Sequence, residues 1–324
     1  MDGRQSAILT CLVDGFIEYC QPISSKMVQD RLPTRLSAAS VRQVFSVLDA
    51  NGYVEKRHLS SGRVPTSKGY RAYVDQLMYP KAIQLRSKFH PRTYRIKLEN
   101  WVINLSKKWP YIGILAFNRD AMGDIAMAEY VSLGSHHGCI MVFYCIGVVS
   151  TVHVVFDRDV SDLDTHRLMQ WLIAHDMRVQ NRSKMGGFTD QEWAFIQCVH
   201  HALVNHRKHG ISTDNMIIKN IQQCFCLADY TTKDAINQIV AVLDDQLALN
   251  RLLNDAVSHP CQTIAIGDEL SDDRLGESTL MRFPVMVNDY PIATLGILGP
   301  RRMNYMGVMN ELWSYQTLVG FDQF

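Results

Sequence analysis

The chain has 324 residues, 47% of them hydrophobic, and its 33 Lys and Arg against 32 Asp and Glu leave a net charge of +1. That length points to two or three domains with real cores. The balanced charge gives no whole-chain argument for a polyanionic partner. No signal sequence precedes Ser6, and no apolar run reaches the ~18–20 residues of a membrane span, so a cytoplasmic protein with no membrane contact is expected.

Ile8, Leu9, Leu12, Val13, Phe16 and Ile17 lie on one face of a first helix. Pro22 ends the connection, and Ser24 or Ser25 caps a short second helix that runs to Leu32 and is broken by Pro33. Ser37 caps a third helix with Val41, Val44, Phe45 and Leu48 as its buried stripe. Asn51-Gly52 supplies the left-handed residue that stops it. Tyr53 to Lys56 reads as a strand. Leu59 to Arg63 is a turn in which Gly62 is free to take positive φ, and Val64-Pro65 starts a return strand on an edge. Thr66 then opens a fourth helix carrying Tyr70, Tyr73, Val74 and Leu77. Helix, helix, helix, strand, wing, strand, helix is the order of a winged helix-turn-helix.

Between Lys56 and Arg71 stand five cations and no carboxylate. In helix-turn-helix modules the N-terminal part of the second helix of the motif enters the major groove, which here is the third helix of the chain. Its polar face offers Ser37, Ser40, Arg42 and Gln43 for base readout. Arg pairs with guanine O6/N7 and Gln with adenine N6/N7, each worth roughly 1–3 kcal/mol of discrimination. Lys26, Arg57, His58, Ser61, Arg63, Lys68 and Arg71 suit phosphates, which fix position rather than sequence. Winged helices also serve as protein-interaction modules, so the fold alone does not establish DNA contact.

Beyond residue 78 the charge separates. Residues 79–108 hold eight Lys and Arg against Glu99, whereas residues 241–289 hold nine acids against three Arg. Tyr111 to Phe117, Ala126 to Leu133 and Cys139 to Phe156 read as strands. Leu163 to Ile173, Asp190 to His206 and Ala235 to Leu253 read as helices. Strand character returns at 263–266, 279–287 and 292–298, and a last helix runs from about Asn304 to Val319. Strands, helices, then strands again suggest a sheet domain interrupted by a helical insertion.

Two stretches far apart resemble one family. At the N-terminal end they are Gln21-Pro-Ile-Ser-Ser-Lys26, Leu36-Ser-Ala-Ala-Ser-Val-Arg42, Leu48-Asp-Ala-Asn-Gly-Tyr-Val54 and the run from His58 to Asp75. At the other end Thr294-Leu-Gly-Ile-Leu-Gly-Pro-Arg-Arg-Met-Asn-Tyr305 follows Ile266-Gly-Asp-Glu269. Together they resemble the HrcA family of heat-inducible transcription repressors. The family usually carries Asn and an acidic residue after the recognition-helix arginine; here they are Gln43 and Val44. Leu59 stands for its usual Thr and Arg57 for its usual Pro. The resemblance implies an α+β multidomain architecture: a winged-helix DNA-binding domain over residues 1–78, a discontinuous GAF-like α/β domain over 79–156 and 233–324, and an inserted, mainly helical dimerisation domain over 157–232. It also implies a homodimer on an inverted-repeat operator in double-stranded DNA, the chaperonin and DnaK operons as targets, and the chaperonin GroEL as modulator.

Other chemistry is weakly supported. His200, His201, His206 and His209 offer helical spacing for one pair only, with no carboxylate beside it, and read as a polar helix face. The eight cysteines lack CxxC spacing and read as reduced thiols. There is no GxxxxGK[ST], no GxGxxG after a strand and no GxSxG. No metal, cofactor or catalytic residue is expected, and the chain does not read as an enzyme. The alternative is a regulator whose GAF-like domain senses a ligand.

Overall fold

The computed structural model describes residues 1–33, 36–56, 62–77, 83–85, 94–117, 125–144, 149–174, 187–208, 216–258, 264–287 and 290–319. The N-terminal head consists of α1 (Gly3–Tyr19), α2 (Ser25–Arg31), α3 (Ala38–Ala50), β1 (Val54–Glu55), β2 (Val64–Pro65) and α4 (Ser67–Val74). The expected caps are in place. Ser24 accepts from the Met27 N–H, Ser37 from Ser40 and Thr66 from Gly69. Asp2 and Gln5 close a capping box on α1. Gly52 takes φ +73° behind α3, as a helix stop requires.

Gly62 has a different purpose from the one expected. It is not among the glycines at positive φ. A Cβ on it would lie 2.3 Å from the Ile23 carbonyl oxygen. Ile23 and Arg63 exchange both backbone hydrogen bonds at 2.9 Å, so the ribbon root is stitched to the segment between α1 and α2. Only glycine lets the two backbones approach so closely.

The main sheet has the order β3-β10-β11-β4-β8, with β9 also on β10. Its strands are β3 (Ile83–Leu85), β4 (Ile112–Phe117), β8 (Met216–Lys219), β9 (Ile264–Ile266), β10 (Ser278–Val287) and β11 (Tyr290–Pro300). All pairings are antiparallel except β3 with β10. Both faces are covered. Leu115, Phe117, Leu295 and Ile297 pack with α5 (Tyr94–Lys108) and α11 (Tyr305–Val319). Ile112, Ile114 and Leu298 pack with α9 (Lys233–Asp244), α10 (Gln246–Ser258) and the short α8 (Ile221–Phe225). Burial on two faces explains why β4 reads as a continuous apolar run rather than an alternating one.

A second sheet, β5-β6-β7, is a simple antiparallel meander of β5 (Ile125–Ser132), β6 (His137–Tyr144) and β7 (Val149–Val155). One face buries Ile140, Val142, Val152 and Val154 beneath α6 (Thr165–Ala174) and α7 (Asp190–Lys208). Tyr130, Phe156 and Phe195 form its aromatic centre.

Strand pairing corrects the sequence reading of the insertion. Strands 125–155 were expected in the main sheet; among the described residues they pair with one another. Residues 216–219, expected in the insertion, pair with β4. The excursion from the main sheet therefore lies between β4 and β8. The physical reason is that apolar patterning fixes strand character but not which sheet a strand joins. The expected long helix from Ala235 to Leu253 is two helices. Asp245 breaks it by accepting the Ala248 N–H at 3.1 Å and starting α10 as a cap. Helix α5 and strand β8 had no counterpart in the sequence reading.

Candidate nucleic-acid interface

Helix α3 is held from below by Val41, Phe45 and Leu48, all buried. The 3.6-residue period then turns Arg42, Gln43, Ser46 and Val47 outward, and all four are exposed. Among the described residues Arg42 has no ion-pair partner. The Ser46 hydroxyl donates to the Arg42 carbonyl at 3.2 Å and so stays on the helix. Ser37 and Ser40 are partly occupied locally: the Ser37 hydroxyl donates to Ser40 Oγ at 3.0 Å while accepting the Ser40 N–H at 3.1 Å. Val47 is an outward residue that sequence reasoning passed over. It sits four positions after Gln43, on the same face, and is an apolar residue where a solvated helix would carry a polar one.

The cations expected at phosphates divide into three groups. Lys26 is exposed on α2. Arg63 packs its guanidinium on Asp49 at 3.1 Å, and Lys68 donates to the Asn51 carbonyl at 2.9 Å with its ammonium 4.7 Å over the Tyr53 ring. Both therefore brace the C-terminal end of α3 against the ribbon. Arg71 faces elsewhere: its Nε donates to Glu269 at 2.8 Å, a second guanidinium nitrogen pairs with the same carboxylate, and Nη2 donates to the Ile264 carbonyl at 2.5 Å. Arg57, His58 and Ser61 lie outside the described residues.

The C-terminal motif meets the head from the other side. Tyr305 is fully buried, with its ring centroid 6.2 Å from those of both Tyr70 and Tyr73 on α4. Its hydroxyl donates to the Arg301 carbonyl at 2.6 Å and lies 2.9 Å from Thr279 Oγ1. Burial raises the phenols of Tyr70, Tyr73 and Tyr305 above their ordinary range. For Tyr73 the hydrogen bond its hydroxyl donates to Asp14, at 2.6 Å, adds to the rise. Arg302 pairs with Asp229 at 2.7 Å, and Arg301 pairs with Glu277 while reaching Ser67 Oγ at 3.0 Å. The cations of Gly299 to Arg302 are thus structural.

No group of three or more metal-ligating side chains occurs among the described residues, and no described helix is long and apolar enough to cross a membrane. Under the α5 and α11 side of the sheet, a cavity of about 10 Å³ remains among Leu105, Ser106, Trp109, Tyr111, Gly113, Ile297 and Val308. That is room for one water at most.

Fold and site together define a mixed helix-and-sheet protein that sets a small helical head, with a polar outward helix, on a large antiparallel sheet. A family model described as the HrcA protein C terminal domain matches residues 105–309, and the chain belongs to the HrcA family. It is 24% identical over 335 residues to the heat-inducible transcription repressor HrcA of Corynebacterium jeikeium (strain K411), covering 96% of this chain and 94% of that one. It is 25% identical over 320 residues to the protein of the same name from Laribacter hongkongensis (strain HLHK9), covering 95% and 92%. A crystal structure of a hypothetical protein superposes with a TM-score of 0.57 at 17% identity over 98% of both chains, a likeness of fold alone. The family expected from the two end motifs is the family found.

Proposed function

We propose that this chain is a heat-inducible transcription repressor, a cytoplasmic homodimer whose winged-helix heads bind an inverted repeat in double-stranded DNA upstream of chaperone genes. The observation that carries the reading is α3. Its base is locked into the head core, and it presents Arg42 and Gln43 outward without a described ion-pair partner for the arginine. Arg42 and Gln43 read base edges, and Val47 meets thymine methyl groups. Ser37 and Ser40 hold the helix N-terminus whose N–H groups face a phosphate. Lys26, Lys68, Arg63 and the ribbon residues Arg57, His58 and Ser61 follow the backbone. Arg71 is reassigned from this set to the contact with Glu269.

Dimerisation rests on the second sheet. Its outer face carries Met127, Phe143 and Val149 in one register row, and Val131 and Val155 further along the same face, beyond Glu129, Met141 and Thr151. Val155 is 65% exposed and Val131 42%. An uncovered apolar sheet face of this kind favours a second copy. In this reading the discontinuous main sheet is the GAF-like domain and the excursion between β4 and β8 is the dimerisation domain. Heating releases the operator because unfolding or dissociation removes both half-sites at once. GroEL enters as the factor that keeps the repressor active.

The test is a footprint on promoters of chaperone genes with the parent, Arg42→Ala and Lys26→Ala. Arg42→Ala should relax base preference at one position per half-site. Lys26→Ala should weaken all sequences about equally. No protected inverted repeat with the parent refutes the reading.

A further inference from the structure

Helix α4 belongs to the head by its core contacts but is fastened to the main-sheet domain at three points. The first is the fork of Arg71 on Glu269, reinforced by the Ile264 carbonyl. Glu269 is itself fixed, since it accepts the Ile266 N–H at 2.9 Å. The second is the aromatic group of Tyr70, Tyr73 and Tyr305. The third is the Arg301 hydrogen bond to Ser67 at the first turn of α4. Gly267, at φ +54°, makes the close approach possible: a Cβ there would stand 2.8 Å from Ser67 Oγ. The Tyr73 hydroxyl then carries the contact on to Asp14 of α1.

We propose that this contact is a latch that sets the orientation of the DNA-reading head, and that Glu269, Arg301 and Tyr305 are positioning residues for operator binding. Arg71 and Glu269 are separated by 198 positions in the chain. The proposal rests on the reading above, that α3 enters the major groove of an inverted repeat. A dimer meets two half-sites only when its recognition helices lie one helical turn, or a whole number of turns, apart. A head on a loose tether reaches many spacings, each at an entropic cost. A head held on three points is preorganised for one. The latch converts the dimer geometry of the core into a fixed half-site spacing. Its two kinds of bond respond differently to conditions. Arg71 and Glu269 are part-exposed, at 28% and 38%, so salt weakens that arm. The tyrosine group is buried and is not screened.

The experiment uses the full chain with spin labels on unnatural amino acids at Asp30 in the head and Asp234 on α9, in the parent, Glu269→Gln, Glu269→Ala and Tyr305→Phe. Head-to-sheet distances are measured without DNA. Affinities are measured for duplexes selected in vitro by the parent, with the half-sites at their selected spacing, moved by two base pairs, or reduced to one. The latch predicts a narrow distance distribution that broadens in Glu269→Ala and less in Glu269→Gln. It predicts that Glu269→Ala loses about tenfold in preference for the selected spacing while single half-site affinity is unchanged. A distribution as narrow as the parent's, with spacing preference intact, overturns it. Equal loss on single and paired half-sites also overturns it, because Glu269 then only supports the fold of the head. If the parent selects no duplex, the DNA reading falls, and the distance distributions alone decide the latch.

Discussion

Replacing Gly62 by Ala perturbs the root of the ribbon at one backbone contact. The added Cβ would sit 2.3 Å from the Ile23 oxygen, 2.4 Å from its carbonyl carbon and 2.8 Å from its nitrogen, all below the 3.0 Å that real Cβ contacts observe. Every clashing atom is backbone, so no rotamer change relieves it, and the two segments separate by about 1 Å. That breaks both hydrogen bonds between Ile23 and Arg63. At roughly 0.5–1.5 kcal/mol each, the pair contributes about 1–3 kcal/mol. The assay is amide hydrogen exchange on the native protein. The Ile23 and Arg63 amides should exchange roughly ten- to a hundredfold faster in Gly62→Ala, while amides of β10 and β11 are unchanged. Gly3→Ala is the control, since nothing lies within 4 Å of the added atom. Unchanged protection at both amides would refute the account of why glycine stands at this position.

The remaining predictions concern other parts of the molecule. Phe143→Asp places a charge in the middle of the Met127, Phe143 and Val149 row, and sedimentation should show the proposed dimer in the parent and monomer in the variant, with the head still folded; a monomeric parent, or a dimer of unchanged stability in the variant, contradicts the assignment of that face. The phenols of Tyr70, Tyr73, Tyr230 and Tyr305 are all raised by burial. Their folded pKa exceeds the unfolded value of about 10, so the neutral form contributes stability that is complete below that pH and is lost as pH rises toward the folded values. Absorbance titration should find these four silent through the ordinary phenol range until the chain unfolds; four extra phenolates in the folded protein near pH 10 would contradict it. Burial also pushes the Cys224 thiol up to about 12, whereas Cys20 and Cys226 are exposed. Alkylation under native conditions should therefore label Cys20 and Cys226 and spare Cys224.

The N-terminal head was legible because its signals are local. Pro22, Pro33, the capping serines and Asn51-Gly52 each act within a turn of their own position, and the helices and strands fall where those residues put them. Helix α5 carries Leu98, Trp101, Val102 and Leu105 as a buried stripe at helical spacing, but the dense cations around that stripe mask it in the sequence. The four-residue β8 carries too short a pattern to register. Gly62 was recognised as necessary, but the reason lies in Ile23, which no local rule connects to it. The same limit hid the true partner of Arg71. A basic stretch without a carboxylate looked uniformly suited to phosphate, yet one of its arginines is matched by Glu269 at the far end of the chain. Charge composition identified the stretch; only folding turned Arg71 to Glu269 and set Arg63 and Lys68 against the end of α3.

The central claim, that α3 and the cations around it make this chain an operator-binding protein, is tested most directly by the salt dependence of duplex binding. The measurement is anisotropy of an inverted-repeat duplex selected by the parent, beside a scrambled duplex, across a salt series. The expected log–log slope steepens by about 0.9 for each phosphate neutralised, with the selected duplex bound more tightly than the scrambled one at every salt concentration. A flat response, or equal affinity for the two duplexes, contradicts it.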